Sequence, residues 1–110
     1  TLGNLSRGVG NQKEILSVPG MLPALTALLD DPDVETRRYC AGTLANLGCD
    51  ARNQETIGSE GELLARLAGL LRGSDADTVK YGVLALANLA CDGENQVRIA
   101  RCPGALEGLL

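Results

Sequence analysis

Apolar residues along this chain recur at helical spacing, not in alternation. Leu22, Leu25, Leu28 and Leu29 fall on one face of a 3.6-residue period, which predicts a helix over about Met21 to Leu29. Pro19-Gly20 precedes it, and Pro23 sits in the first turn, where its missing N–H costs nothing. A longer helix is expected from about Val34 to Leu47, opened by Pro32-Asp33, closed near Gly48 and burying Cys40, Ala41, Leu44 and Leu47. A shorter one is expected from about Asn11 to Val18, with Asn11 and Glu14 spaced as a capping pair.

These three segments form a unit that repeats. Sliding the sequence against itself by 42 residues makes 26 of the 68 aligned pairs identical without a gap. Leu2-Gly3-Asn4-Leu5 falls on Leu44-Ala45-Asn46-Leu47 and on Leu86-Ala87-Asn88-Leu89. Asn11-Gln12 falls on Asn53-Gln54 and Asn95-Gln96, and Ile15 on Ile57 and Ile99. Leu22, Leu64 and Leu106 coincide, as do Leu28-Leu29 with Leu70-Leu71, and Tyr39 with Tyr81. A period of this length suits all-helical solenoids and is too long for tetratricopeptide, ankyrin or leucine-rich repeats. Propeller blades share the length but need β-rich strands and aromatic punctuation, which the unit lacks.

With Asn-Gln-x-x-Ile in the first helix, Leu-x-x-Leu-x-x-Leu-Leu in the second and Leu-Ala-Asn-Leu ending the third, the whole sequence resembles the armadillo repeat family. The resemblance implies an all-α, right-handed solenoid with three helices per 42-residue repeat. On that register, residues 1–9 are the end of a preceding third helix, 10–50 and 51–92 are armadillo repeats, and 93–110 are a truncated one. Each repeat buries its apolar face only against neighbours, and array ends carry polar caps, so the uncapped ends point to a segment of a longer array.

In armadillo proteins the third helices line a concave groove, and the resemblance implies that Asn4, Asn46 and Asn88 form a ladder there. An amide offers donors and an acceptor, so such a column can hold the peptide groups of an extended chain whatever its side chains. The alternative is that each Asn bonds the backbone of the neighbouring repeat. Residues at helical spacing share this face: Tyr39 and Tyr81, Arg38 and Lys80, Asp50 and Asp92. For the two aspartates, capping the following helix is an equal alternative. Importin-α-type members place Trp four residues before the Asn, whereas this chain has Gly42 and Leu84, so a cation–π slot for a basic signal is absent. Nor is the groove strongly basic, as β-catenin's is. The pattern is more similar to vacuolar, plant and axonemal armadillo scaffolds.

Composition narrows the chemistry. The 110 residues carry ten basic and fourteen acidic side chains and no His, Trp or Phe. A net charge of −4 argues against nucleic acid as a partner, and with no aromatic platform beyond two tyrosines there is nothing for bases to stack on. Without imidazole the common acid–base, nucleophilic and metal-ligating arrangements are missing, so no enzyme, cofactor or metal is expected. No apolar stretch approaches the length of a membrane span, so no membrane insertion is expected.

Cys40, Cys49, Cys91 and Cys102 include no C-x-x-C pair. They read as small buried or half-buried residues in an intracellular reducing compartment, with cytoplasm, nucleus and ciliary axoneme as compatible settings. The acidic cluster at Asp30, Asp31, Asp33 and Glu35, and its counterpart at Asp75 and Asp77, suits helix capping and lacks a calcium-loop pattern. Gly58, Gly61 and Gly104 fall near the turn between first and second helices, where positive φ is useful.

The expected function is non-enzymatic: a module binding an extended or helical segment of another protein in the groove, with neighbouring repeats of the same chain as its packing partners. The alternative is an architectural element of a large assembly such as an axoneme, with the groove unused.

Overall fold

A computed structural model describes Leu16 and residues 18–102. Among these residues all regular structure is helical: α1 (Met21–Leu28), α2 (Val34–Leu47), α3 (Ala51–Gly58), α4 (Leu63–Leu70), α5 (Ala76–Leu89) and α6 (Gly93–Ala100). Both ends of α1, α2 and α3 recur 42 residues later in α4, α5 and α6, so the sequence period is also the structural one. The described residues form an all-α solenoid of the kind that period anticipates.

Local chemistry sets the starts of the helices. Asp33 and Asp75 have extended backbones and accept the N–H groups of Thr36 and Thr78, so each satisfies one orphan donor of the turn it opens. The threonine hydroxyls donate to the same carboxylates, at 2.9 Å in α2 and 2.6 Å in α5. These bonds hold both carboxyls below the usual range, the Thr hydroxyl being the largest cause in each case. No side chain caps α1. Its N-cap is Gly20 at φ 82°, a left-handed conformation that glycine adopts without strain.

The predicted second helix ends one residue earlier than expected, and the third runs over the expected span. The expected capping pair Asn11 and Glu14 lies outside the described residues, but its counterparts show a different arrangement. Asp50 and Asp92, three residues before Asn53 and Asn95, are the N-caps of α3 and α6. A carboxylate on an extended residue reaches the first-turn N–H groups, whereas an Asn already inside the helix has its own N–H taken up by that cap. Of the glycines expected near the first turn, Gly61 has φ 22°, Gly58 is an ordinary helical residue, and Gly104 lies outside the described residues.

The core is a continuous layer of leucines from every helix pair. Leu25, Leu29, Leu44 and Leu47 from one repeat meet Leu63, Leu67, Leu86 and Leu89 from the next, all fully buried. Cys40, Ala41, Leu44 and Leu47 are buried as expected. Burial pushes the Cys40 thiol up to about 12, and its Sγ donates to Leu25 O at 3.0 Å, so it behaves as a small core residue. The other cysteines depart from the expectation. Cys102 is half-buried, but Cys49 and Cys91 are exposed, each falling just beyond the last turn of α2 or α5.

Candidate partner-binding groove

The most extensive pairing among the described residues is α2 against α5, the two fourteen-residue helices. Both bury Ala and Leu on one side, and the opposite side is left for solvent. Between them runs an open groove of about 270 Å³, lined by Arg38, Tyr39, Gly42, Thr43, Ala45, Asn46, Tyr81 and Leu84. Four of the residues expected to share a face, Arg38, Tyr39, Asn46 and Tyr81, therefore do meet. Tyr39 is 51% exposed and Leu84 45%, so the groove has apolar rims left in water. Tyr81 is half-buried against the core.

The charged members are partly committed. Arg38 reaches across the seam to Asp75, with Nη2 at 3.2 Å from Oδ1 and 3.4 Å from Oδ2, while its Nε lies 3.9 Å from Asp77 Oδ2. The carboxylate holds the guanidinium charge more firmly still. Asp75 thus caps α5 and ties α5 to α2, a second role that its capping spacing does not reveal. Lys80 stands with Nζ 5.9 Å from the Tyr81 ring centre and makes no ion pair among the described residues.

Of the asparagine ladder, Asn4 lies outside the described residues. Asn46 lines the groove. Asn88 is turned toward the neighbouring repeat: its Nδ2 donates to Ala45 O at 2.9 Å and to Cys49 Sγ at 3.4 Å. A carbonyl at that distance fixes which amide atom is the nitrogen, since only N–H can satisfy it. Both donors are then directed at the preceding repeat, and Oδ1 is left to accept. Asp50 and Asp92 do their work as caps, accepting from Arg52 N at 2.9 Å and Asn95 N at 3.0 Å. Asp50 is also paired with Arg52 at 2.7 Å, which raises the guanidinium's proton affinity.

A second set of polar residues, legible only as a repeated motif, proves to be structural. In α3, Asn53 Nδ2 donates to Leu47 O at 3.2 Å and Gln54 Nε2 to Gly48 O at 3.0 Å. In α6, Asn95 Nδ2 donates to Leu89 O at 2.9 Å and Gln96 Nε2 to Ala90 O at 2.8 Å. The Asn-Gln pair therefore adds side-chain donors to the last carbonyls of the preceding long helix, two of which, Leu47 O and Leu89 O, also accept the backbone N–H of Asp50 and Asp92. Asn95 also donates to Gln54 O of the neighbouring repeat at 2.7 Å, and Gly58 makes room for it: a Cβ there would stand 1.7 Å from Asn95 Oδ1.

Among the described residues no group of His, Cys, Asp and Glu could hold a metal ion, and no helix is long and apolar enough to cross a membrane. Residues 11–48 match the family model described as armadillo/beta-catenin-like repeat. No curated protein gives a significant match to the chain.

Proposed function

We propose that this chain, an armadillo-repeat protein and hence a protein-interaction module, holds a segment of another protein in the groove between α2 and α5. The observation that carries the reading is the pair of exposed apolar rims, Tyr39 and Leu84, facing each other across a pre-formed groove on a rigid two-helix base. Burying such side chains releases water at little cost in reorganisation, because the helices that carry them are already fixed by the core. The partner is an extended or helical segment. Asn46 and the Oδ1 of Asn88 supply polar contacts to its backbone, and Arg38, Lys80 and the nearby acids set its register. The role is non-enzymatic, and the exposed thiols Cys49 and Cys91 suit a reducing intracellular compartment.

A second reading has its own observation. Asn88 spends its donors on Ala45 and Cys49 of the preceding repeat, as a structural asparagine would in an array serving only as a rigid element of a larger assembly. Affinity capture with the wild type and a Tyr39→Ala, Leu84→Ala variant, with folding checked by circular dichroism, separates the two. Partners lost from a folded variant identify the groove as the working surface. Partners retained by that variant but lost on reversing the exposed charge of Arg72 favour the architectural reading.

A further inference from the structure

We infer that Gly42 determines what this groove accepts: the notch above it takes a bulky uncharged apolar side chain, such as Leu, Met or Phe, from an extended segment of another protein. The inference rests on the groove reading above and deepens it. Three observations on the α2–α5 seam point to this occupant. The first is space. A Cβ at position 42 would meet nothing nearer than Tyr81 Cδ1 at 4.0 Å, so the missing side chain leaves a hollow in a helix that glycine otherwise weakens.

The second is the character of the walls. Tyr39 rises on the same helix one turn before Gly42, and Leu84, the residue one repeat after Gly42, stands on the facing helix, both about half exposed. A side chain lowered between them exchanges water for aromatic and aliphatic carbon on both flanks.

The third is charge. Among the lining residues the charged one is Arg38, whose guanidinium Asp75 and Asp77 already face from outside the groove. Lys80 lies beside the Tyr81 ring, outside the lining. A Lys or Arg entering the notch would find a guanidinium and no carboxylate among the lining side chains, while a neutral apolar side chain needs no counter-ion there. Leu84 fills in its own repeat the place that Gly42 leaves open. The two repeats therefore differ in what they admit although their helices superpose in register.

The test is a selection of random twelve-residue peptides displayed on phage against the whole chain, followed by binding titrations of the enriched peptides to the wild type, Gly42→Leu, Leu84→Ala and Tyr39→Ala. Replacing a helical glycine by leucine favours the helix, and circular dichroism of each variant verifies the fold. The expected result is a shared Leu, Met or Phe at one peptide position, with binding weakened about tenfold or more by Gly42→Leu and by Leu84→Ala. Peptides that lose binding to Tyr39→Ala but not to Gly42→Leu, or that carry Lys or Arg at the shared position, overturn the notch and leave the groove standing. Peptides indifferent to all three variants, or no enriched peptide at all, overturn both.

Discussion

At the seam between α3 and α6, Asn95 is completely buried, and its amide joins Leu89 O, Gln54 O and the Arg98 guanidinium, whose Nη1 donates to Oδ1 at 2.8 Å. At the seam between α2 and α5, seven residues earlier and at the end of the preceding repeat, Asn88 is half-buried, bonds one carbonyl and one sulfur of the neighbour, and keeps Oδ1 for another donor. Both asparagines recur every 42 residues. What separates them is what lies over each. Asn95 is roofed by Gly58 of the preceding repeat, while the α2–α5 seam opens beside Asn88 into solvent. Repetition of a polar residue thus marks a constraint of the array without saying whether the constraint is packing or recognition.

The comparison breaks most visibly if the α3–α6 clasp can be removed at little cost. Asn95→Ala removes three hydrogen bonds at a buried amide, to Leu89 O, Gln54 O and the Arg98 guanidinium, and the loss expected is about 3 kcal/mol by chemical denaturation. A loss near that expected for a surface site would mean that water replaces the amide. Gly58→Ala tests the same clasp from the other side. The new methyl has to displace Asn95 or spread the two helices, and the cost expected is about 2 kcal/mol, measured in the same way.

Asn88→Ala comes next, at about 1 kcal/mol, because water can reach Ala45 O and Cys49 once the amide is gone. If Asn88→Ala costs as much as Asn95→Ala, the two seams are alike and the case for an open, partner-facing Asn88 fails. Tyr39→Ala completes the series on the exposed rim. Its effect on stability is expected within about 0.5 kcal/mol, since half of the side chain is already in water. A larger loss in a thermal melt would make Tyr39 part of the packing instead of a contact surface.

These contrasts explain what could be read from residues alone. The helices were legible because leucine spacing, the Asp33 cap and the 42-residue register all report backbone periodicity, which local chemistry fixes. The meeting of Tyr39 with Tyr81 followed from helical spacing plus that register. The roles of the asparagines did not. Asn53 and Asn88 are equally polar and equally periodic, and only the position of the neighbouring repeat's carbonyls tells which amide is spent. The exposure of Cys49 and Cys91 was hidden for a related reason. Both sit immediately after a buried leucine turn, and nothing in their spacing shows that they face solvent. The Arg38–Asp75 bridge joins residues 37 positions apart, across a distance set by tertiary packing.

The smallest effect expected concerns that bridge, and it sharpens the comparison because acid reaches only one of the two seams' cross-repeat contacts. Asp75 has its carboxyl below the ordinary value of 3.8 through the Thr78 hydroxyl first, then the Thr78 N–H and Arg38. A group whose folded pKa is depressed contributes stability that is complete above its unfolded value and disappears as pH falls through the folded one. The window therefore opens just under 3.8 and extends downward. Asn95, Gln54 and Gly58 bear no side chain that gains a proton there. Thermal melts of the wild type and Arg38→Gln, run from about pH 6 to about pH 2, should show a small difference in Tm near neutrality that shrinks below the ordinary carboxylate value. If the difference persists unchanged at the acid end, Arg38 holds the α2–α5 seam through its aliphatic stem against Tyr39 and Tyr81, not through Asp75, and the groove wall it forms is packed and not charged.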